Sequence, residues 1–316
     1  MAGFSTSTNE HLIRSNLWSS QIKEVLEDEL IGTKYVDMIT DFPDGDTINI
    51  PSIGQAEVKD YNEGQAVLYT AMDTGNFTFT ITEYKASATY ITEKMKQDSF
   101  YMSRLVSSFV PKQHRALAKA MEVDILAVGP NGQTASGLNT INGGNHRFVG
   151  GGTSETLSIV DFQRAKFALE KANVPLTNLV AIVDPSVEFA LATLPNIANV
   201  STNPRWEGIV RDGMSTGMRF YMNVYGFDVY MSNNLKSGIA ETINSVTTTT
   251  GVANLFFSAA GDVLPFVGNI RQAPKVDSEF NKDMQREEYV TTCRYGYKLF
   301  RPENLVVVLT DDDQVA

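Results

Sequence analysis

A single cysteine, Cys293, leaves nothing with which to form an internal disulfide or a thiolate zinc site. Basic clusters are missing as well. The chain has 26 Lys and Arg against 37 Asp and Glu, a formal net charge of -11, and a pI near 4.8. Attachment to phosphate needs clustered positive charge, so the average surface repels nucleic acid. No stretch approaches the roughly 20 apolar residues of a membrane-spanning helix. The opening residues, MAGFSTSTNEHLIRSN, lack the basic and apolar regions of a secretion signal. These absences lead to the expectation of a protein that folds in a reducing cytoplasm and has no membrane partner.

The usual catalytic patterns are missing too. The three histidines, His11, His114 and His146, fall in a polar arm, on a helix and in a Gly/Asn loop. They share no metal-ligand spacing, so solvated or capping roles are expected. No nucleophile elbow, zinc-protease helix, Walker loop or dinucleotide fingerprint occurs. GGNHRFVGGG has the glycines of a phosphate loop without its Lys-Ser/Thr, and reads as a flexible loop. Asp44–Asp46 and Asp311–Asp313 lack calcium-loop spacing and read as a turn and a solvated tail. Cys293 is expected to be a packed thiol. No enzyme activity, cofactor or metal follows from these residues.

What is present is 316 residues, 42% of them hydrophobic, enough for a sizeable core and two subdomains. In the segment TINIPSIGQAEVKDYNEGQAVLYTAMDTGNFTFTIT, Ile48 and Ile50 alternate with polar residues at one end, and Phe77, Phe79 and Ile81 at the other. That is the period of two half-buried strands. About two dozen residues lie between them, with Gly54, Gly64 and Gly75 and only scattered apolar side chains. A compact body has no use for such an excursion.

Before it, SNLWSSQIKEVLEDELIG puts Trp18, Ile22, Val25, Leu26 and Leu30 on one helical face, with Gly32 as a stop. After it, ITEKMKQDSFYMSRLVSSFVPKQHRALAKAMEVDILAVG reads as helix from Ile91 onward, closed by Gly129 and Pro130. Pro111 is expected to break or kink it. Two helices end to end and one long bent helix fit this pattern equally well. Asn131 to Gly152 reads as an irregular surface loop. An amphipathic helix (SIVDFQRAKFALEKANVP), a buried strand (LVAIVD) and a helix capped by Asp184 follow, which predicts a small sheet with helices packed on it. MRFYMNVYGFDVYMSNNL reads as two strands around Gly226. SGIAETINSVTTTTGVAN reads as a link. Long strands around a charged turn at Asp277 to Arg286, and a final buried strand at Leu305 to Leu309, complete the chain.

That order is informative, and five stretches carry it. DGDTINIPSIGQAEVKDYNEGQ resembles the start of the extended E-loop of the major capsid proteins of tailed bacteriophages, the Hong Kong 97-type fold. The long helical segment resembles that family's P-domain spine helix, and LVAIVDPSVEFALATLP its A-domain strand and helix. YGFDVYMSNNL and YGYKLFRPENLVVVL are similar to its A-domain strand and closing phrase. The resemblance covers nearly the whole chain. It implies an α+β fold with an N-terminal arm (1–43), an extended two-stranded E-loop hairpin (44–85) and a P-domain spine helix (86–128). An α/β A-domain (129–261), P-domain return strands (262–295) and a closing strand with the C-terminus (296–316) follow.

The resemblance also implies a function. The chain would be a structural shell protein, assembling into hexamers and pentamers of an icosahedral capsid around double-stranded DNA. The E-loop would pack on a neighbouring subunit, which makes Val58, Tyr61, Glu63, Val67, Leu68, Tyr69 and Met72 interface residues. Trp18 and Ile22 of the arm and Asp277, Glu279, Lys282 and Arg286 of the P-domain turn would make further inter-subunit contacts. Implied partners are other copies of the chain, a separate scaffolding protein, a portal protein and, as an option, a decoration protein. Packaged DNA would be touched only weakly and without specificity. The place of action would be the virion shell, assembled in the host bacterial cytoplasm. Some family members crosslink through an E-loop lysine; Lys59 is the only lysine between Thr47 and Thr82, and no crosslink is inferred from it. The alternatives are a nanocompartment shell of the same fold, an encapsulin, and a soluble α+β enzyme or ligand-binding protein.

Overall fold

The protein was described from a computed structural model, which covers residues 31–40, 45–53, 60, 63, 64, 66, 74–98, 102–133, 139–187, 190 and 220–311. Two sheets organise it. The first has four strands, β1 (Val36–Met38), β4 (Glu83–Thr92), β13 (Phe266–Asn281) and β14 (Arg286–Leu299), in the order β1-β13-β14-β4. β1 runs parallel to β13, and the other pairs are antiparallel. β2 (Thr47–Ile53) and β3 (Thr74–Thr80) form a separate hairpin.

The second sheet has seven strands, with a path of six in the order β7-β15-β12-β8-β10-β9 and β11 paired to β12. They are β7 (Arg147–Val149), β8 (Leu179–Val183), β9 (Phe220–Val224), β10 (Phe227–Met231), β11 (Ile239–Ile243), β12 (Val246–Ser258) and β15 (Val306–Asp311). A small hairpin of β5 (Thr140–Ile141) and β6 (Gly144–Asn145) precedes them. β8 is buried along its whole length, as is β15 up to Asp311, so their unbroken apolar runs need no alternation. The β9–β10 turn depends on Tyr225 and Gly226, at φ 51° and 93°, the paired left-handed residues of a tight hairpin.

Among the described residues, α1 (Glu93–Asp98) meets β4, α2 (Met102–Gly132) packs on both sheets, and α3 (Ile159–Lys171) packs on the seven-stranded sheet. α3 covers one face of the seven-stranded sheet. There Phe162 packs edge-on against Phe227 and Phe256, with Ala165, Ala168 and Leu169 beside it. Ser158 and Asp161 form the capping box that starts α3. The opposite face holds Ile31, Val36, Ile125 and Leu126 against Ile182, Leu255 and Phe257. The C-terminal half of α2 therefore belongs to that core, while its middle packs on the four-stranded sheet through Leu117, Met121, Cys293 and Tyr295.

Several expectations need correction. Residues 86–92 are strand, not the start of the spine helix: Ile91 sits in β4 opposite Glu287, and helix begins only at Glu93. Of the two readings left open at Pro111, one long helix is the one found: Pro111 lies exposed inside α2. Gly129 and Pro130 are also internal to α2, which runs to Gly132. The described part of 131–152 is not all surface loop, because His146 to Gly150 are buried and β7 joins the sheet beside β15. The Ser/Thr-rich link is the β11–β12 hairpin. β14 crosses the boundary drawn at 295/296, and β15 belongs to the same sheet as β8.

Candidate inter-subunit surfaces

The base of the β2–β3 hairpin is anchored firmly. Phe79 and Ile81 are buried with Val267, and Phe77 meets Phe300 edge-on at 4.9 Å between ring centroids. Lys298 donates to the Thr78 carbonyl at 2.6 Å and lies over the Phe77 ring. A β-carbon on Gly296 would come within 2.9 Å of the Ile81 α-carbon, so this close crossing of chains requires glycine. Beyond Phe77 the hairpin leaves this support, and Gly75 and Asn76 are exposed.

The four-stranded sheet is two-faced. On one side α2 covers it: Thr291 donates to Gln113 at 3.0 Å, and the Tyr295 hydroxyl donates to Asp124 at 2.6 Å. Lys85 completes an ion pair with Asp124. Alternation along β4 turns Tyr84, Ala86, Ala88 and Tyr90 to the other side, where all four are exposed, Tyr84 at 63% and Tyr90 at 59%. Their register partners on β14 are Arg294, Thr292, Val290 and Glu288. The Arg286 guanidinium sits over the Tyr90 ring at 4.5 Å. Apart from this contact with Arg286, the described residues of β4 on this face are open to water.

The distal end carries the charged residues named from sequence. Asp277 and Glu279 are exposed on β13, and Lys282 is exposed in the turn. Arg286 is half-buried and bonds Glu288 at 2.6 Å. The turn itself is narrower than expected, Lys282 to Gln285, held by Asn281, which accepts from the backbones of Asp283 and Met284. Glu287 is held below the usual carboxylate range by its hydrogen bond to Lys96, and Glu288 by its bond to Arg286. Phe280, Met284 and Met95 are exposed around them. Sequence reasoning missed Tyr84, Tyr90 and Met284; the period-two run EYKASATYIT was the signal for the first two. Of the hairpin residues, Glu63 is exposed beside Gly64, at φ 86°. Val58, Tyr61, Val67, Leu68, Tyr69 and Met72, and Trp18 and Ile22 of the arm, lie outside the described residues.

A family profile described as "Phage capsid protein" matches residues 76–308. The chain belongs to the phage capsid protein family. Solved capsid structures agree with it at the level of fold. A chain of Mycobacterium phage Che8 is 16% identical, with a TM-score of 0.68 over 94% of this chain and 97% of that one. A chain from the capsid of Cyanophage P-SCSP1u is 14% identical, with a TM-score of 0.71 over 97% and 94%. A chain from the capsid of a native GTA particle is 11% identical, with a TM-score of 0.63 over 98% and 100%. No curated protein sequence matches. The protein is thus a major capsid protein, a structural component of an icosahedral phage shell.

Among the described residues no cluster of His, Cys, Asp and Glu could hold a metal ion. His146 is buried rather than solvated. Its ring nitrogens lie 3.1 Å from the carbonyls of Gly144 and Glu303, and burial pulls its pKa below the usual value.

Proposed function

We propose that the chain builds its shell as a Hong Kong 97-type subunit of hexamers and pentamers enclosing double-stranded DNA. In this reading α2 and the four-stranded sheet form the P-domain, the seven-stranded sheet with α3 forms the A-domain, and the β2–β3 hairpin with residues 54–73 forms the E-loop. The observation that carries it is the exposed face of β4 beside a hairpin whose described contacts with the body lie at its base. Both features cost a lone protomer exposed apolar surface, and both become useful when a neighbour covers them. Head-to-tail contacts of this kind close into rings. Each contact is modest and the shell is held by their sum.

The interface set is the one named from sequence, now with Tyr84, Tyr90 and Met284 added. A separate scaffolding protein and a portal protein would act during assembly in the host cytoplasm, and a decoration protein would bind outside. With a net charge of -11, the chain would touch packaged DNA weakly and without specificity.

Deleting Gln55 to Asp73 tests the reading. Ile53 pairs with Thr74 in the hairpin register, and Gly54 remains between them, so one inserted Asn after Gly54 closes the gap as a two-residue Gly-Asn turn. The expected result is a folded, soluble protomer that forms no stable shells. Normal shell assembly by this variant would overturn the role given to the loop.

A further inference from the structure

A groove of about 430 Å³ opens at the edge of the seven-stranded sheet, between α3, β7 and the β11–β12 turn. Phe148, Val149, Phe167, Ile243 and Val246 supply its apolar lining, and Arg164 stands on its rim. Phe167 is 49% exposed and Val246 40%, although both belong to well-packed elements. Arg164 is 57% exposed, and among the described residues its one ion-pair partner is the buried Asp161, at 3.3 Å. The groove therefore sets these apolar side chains beside the polar Asn145 and Asn244, with a cation at one lip, a form that suits an extended acidic segment with an apolar side chain.

Such a segment begins beside it. Val149, which lines the groove, is the register partner of Leu309 on β15, and Gly150 donates its N–H to the Leu309 carbonyl at 2.8 Å. β15 continues two residues further to Asp311, which is fixed by its pairing with Gly251 and by the Thr250 hydroxyl. The next residues are Asp312, Asp313, Gln314, Val315 and Ala316. Arg164 lies at this exit, because a β-carbon on Gly151 would stand 3.0 Å from its Nη1. Five extended residues span up to about 17 Å, enough to follow a groove whose wall already touches the preceding strand.

We propose that residues 312–316 dock in this groove on their own chain, with Asp312 and Asp313 on Arg164 and Val315 on the apolar floor. Covalent connection gives the segment an effective concentration that a free peptide or a second copy lacks. Docking would tie the β11–β12 turn to α3 and remove Phe167 and Val246 from water. The inference concerns the protomer alone and does not rest on the shell reading.

A cysteine pair provides the test, since the native Cys293 is buried and does not compete. The unassembled full-length chain carrying Phe167→Cys and Val315→Cys is mildly oxidised beside a control pair, Tyr225→Cys and Val315→Cys, with Tyr225 exposed at the β9–β10 turn. The expected result is a bond within one chain for the first pair and none for the control. Removal of residues 312–316, and separately Arg164→Gln, should each speed amide exchange in α3 and in the β11–β12 turn of the otherwise unaltered protein. A bond between two chains, equal reaction of both pairs, no bond, or unchanged exchange after truncation would each overturn the proposal.

Discussion

The backbone N–H of Gly32 donates to the carboxylate of Glu122 at 2.8 Å, and that of Ile31 does the same. Glu122 is fully buried in the middle of α2. It fixes the point at which the N-terminal arm meets the body, between the two sheets. A side chain at position 32 has no room, since a β-carbon there would lie 3.0 Å from Glu122 Oε2. Glu122→Leu leaves two buried N–H groups without acceptors and should cost roughly 3 kcal/mol in urea unfolding. Glu122→Gln keeps one acceptor and should cost less. Equal stability of the two variants would contradict this assignment.

Asn304 is a second internal clasp. It accepts from the Ser258 N–H at 2.9 Å and donates to the carbonyls of Ser258 and Val263. It thereby joins the end of β12 to the turn before β15. Asn304→Ala should destabilise by about 3 kcal/mol, measured by thermal or urea unfolding, because three buried backbone groups lose their partner together.

Neighbouring tyrosines on β14 should behave oppositely. The Tyr295 hydroxyl donates to Asp124, whereas that of Tyr297 is buried with no hydrogen-bond partner among the described residues. Burial pushes the Tyr297 pKa up to about 12. Tyr297→Phe should be neutral or stabilising by up to about 1 kcal/mol, and Tyr295→Phe destabilising by about 1–2 kcal/mol. Unfolding curves of the two variants side by side would decide it.

Acid should loosen the protein in two windows. His146 has a folded pKa below its ordinary 6.5, chiefly from burial. Its contribution is therefore fully present above pH 6.5 and is lost as pH falls toward the folded value. Glu287 and Glu288, held below 4.5 by Lys96 and Arg286, contribute above pH 4.5 and lose that contribution as pH falls through their folded values. Melting temperature should thus begin to fall below pH 6.5. In His146→Gln that first decline should be flattened, while the second, below pH 4.5, should persist.

Legibility in the sequence followed burial. Leu179–Val183 and Leu305–Leu309 were readable because strands buried on both faces are unbroken apolar runs. The hairpin ends at Ile48–Ile50 and Phe77–Ile81 were readable from their alternation. β4 was not, because Ile91 and Met95 stand four apart and mimic a helix stripe while Ala86 and Ala88 mute the period of two. The start of β12, TTTTG, hid its strand behind a run of polar side chains, although Thr248 among them is buried. The glycines around His146 were misread as looseness. Two of them permit close packing: a β-carbon on Gly144 would meet the Ala168 backbone at 3.0 Å, and one on Gly150 the Thr156 carbonyl at 2.6 Å. The aromatic outer face of β4 was invisible for a related reason, since exposed tyrosines gain meaning only once the covered face is known.

The most direct measurement is electron microscopy of the protein expressed together with its neighbouring genes. The account predicts closed icosahedral particles of uniform size, and DNA inside them when packaging functions are present. A monodisperse monomer, even with the candidate scaffolding protein supplied, would contradict it.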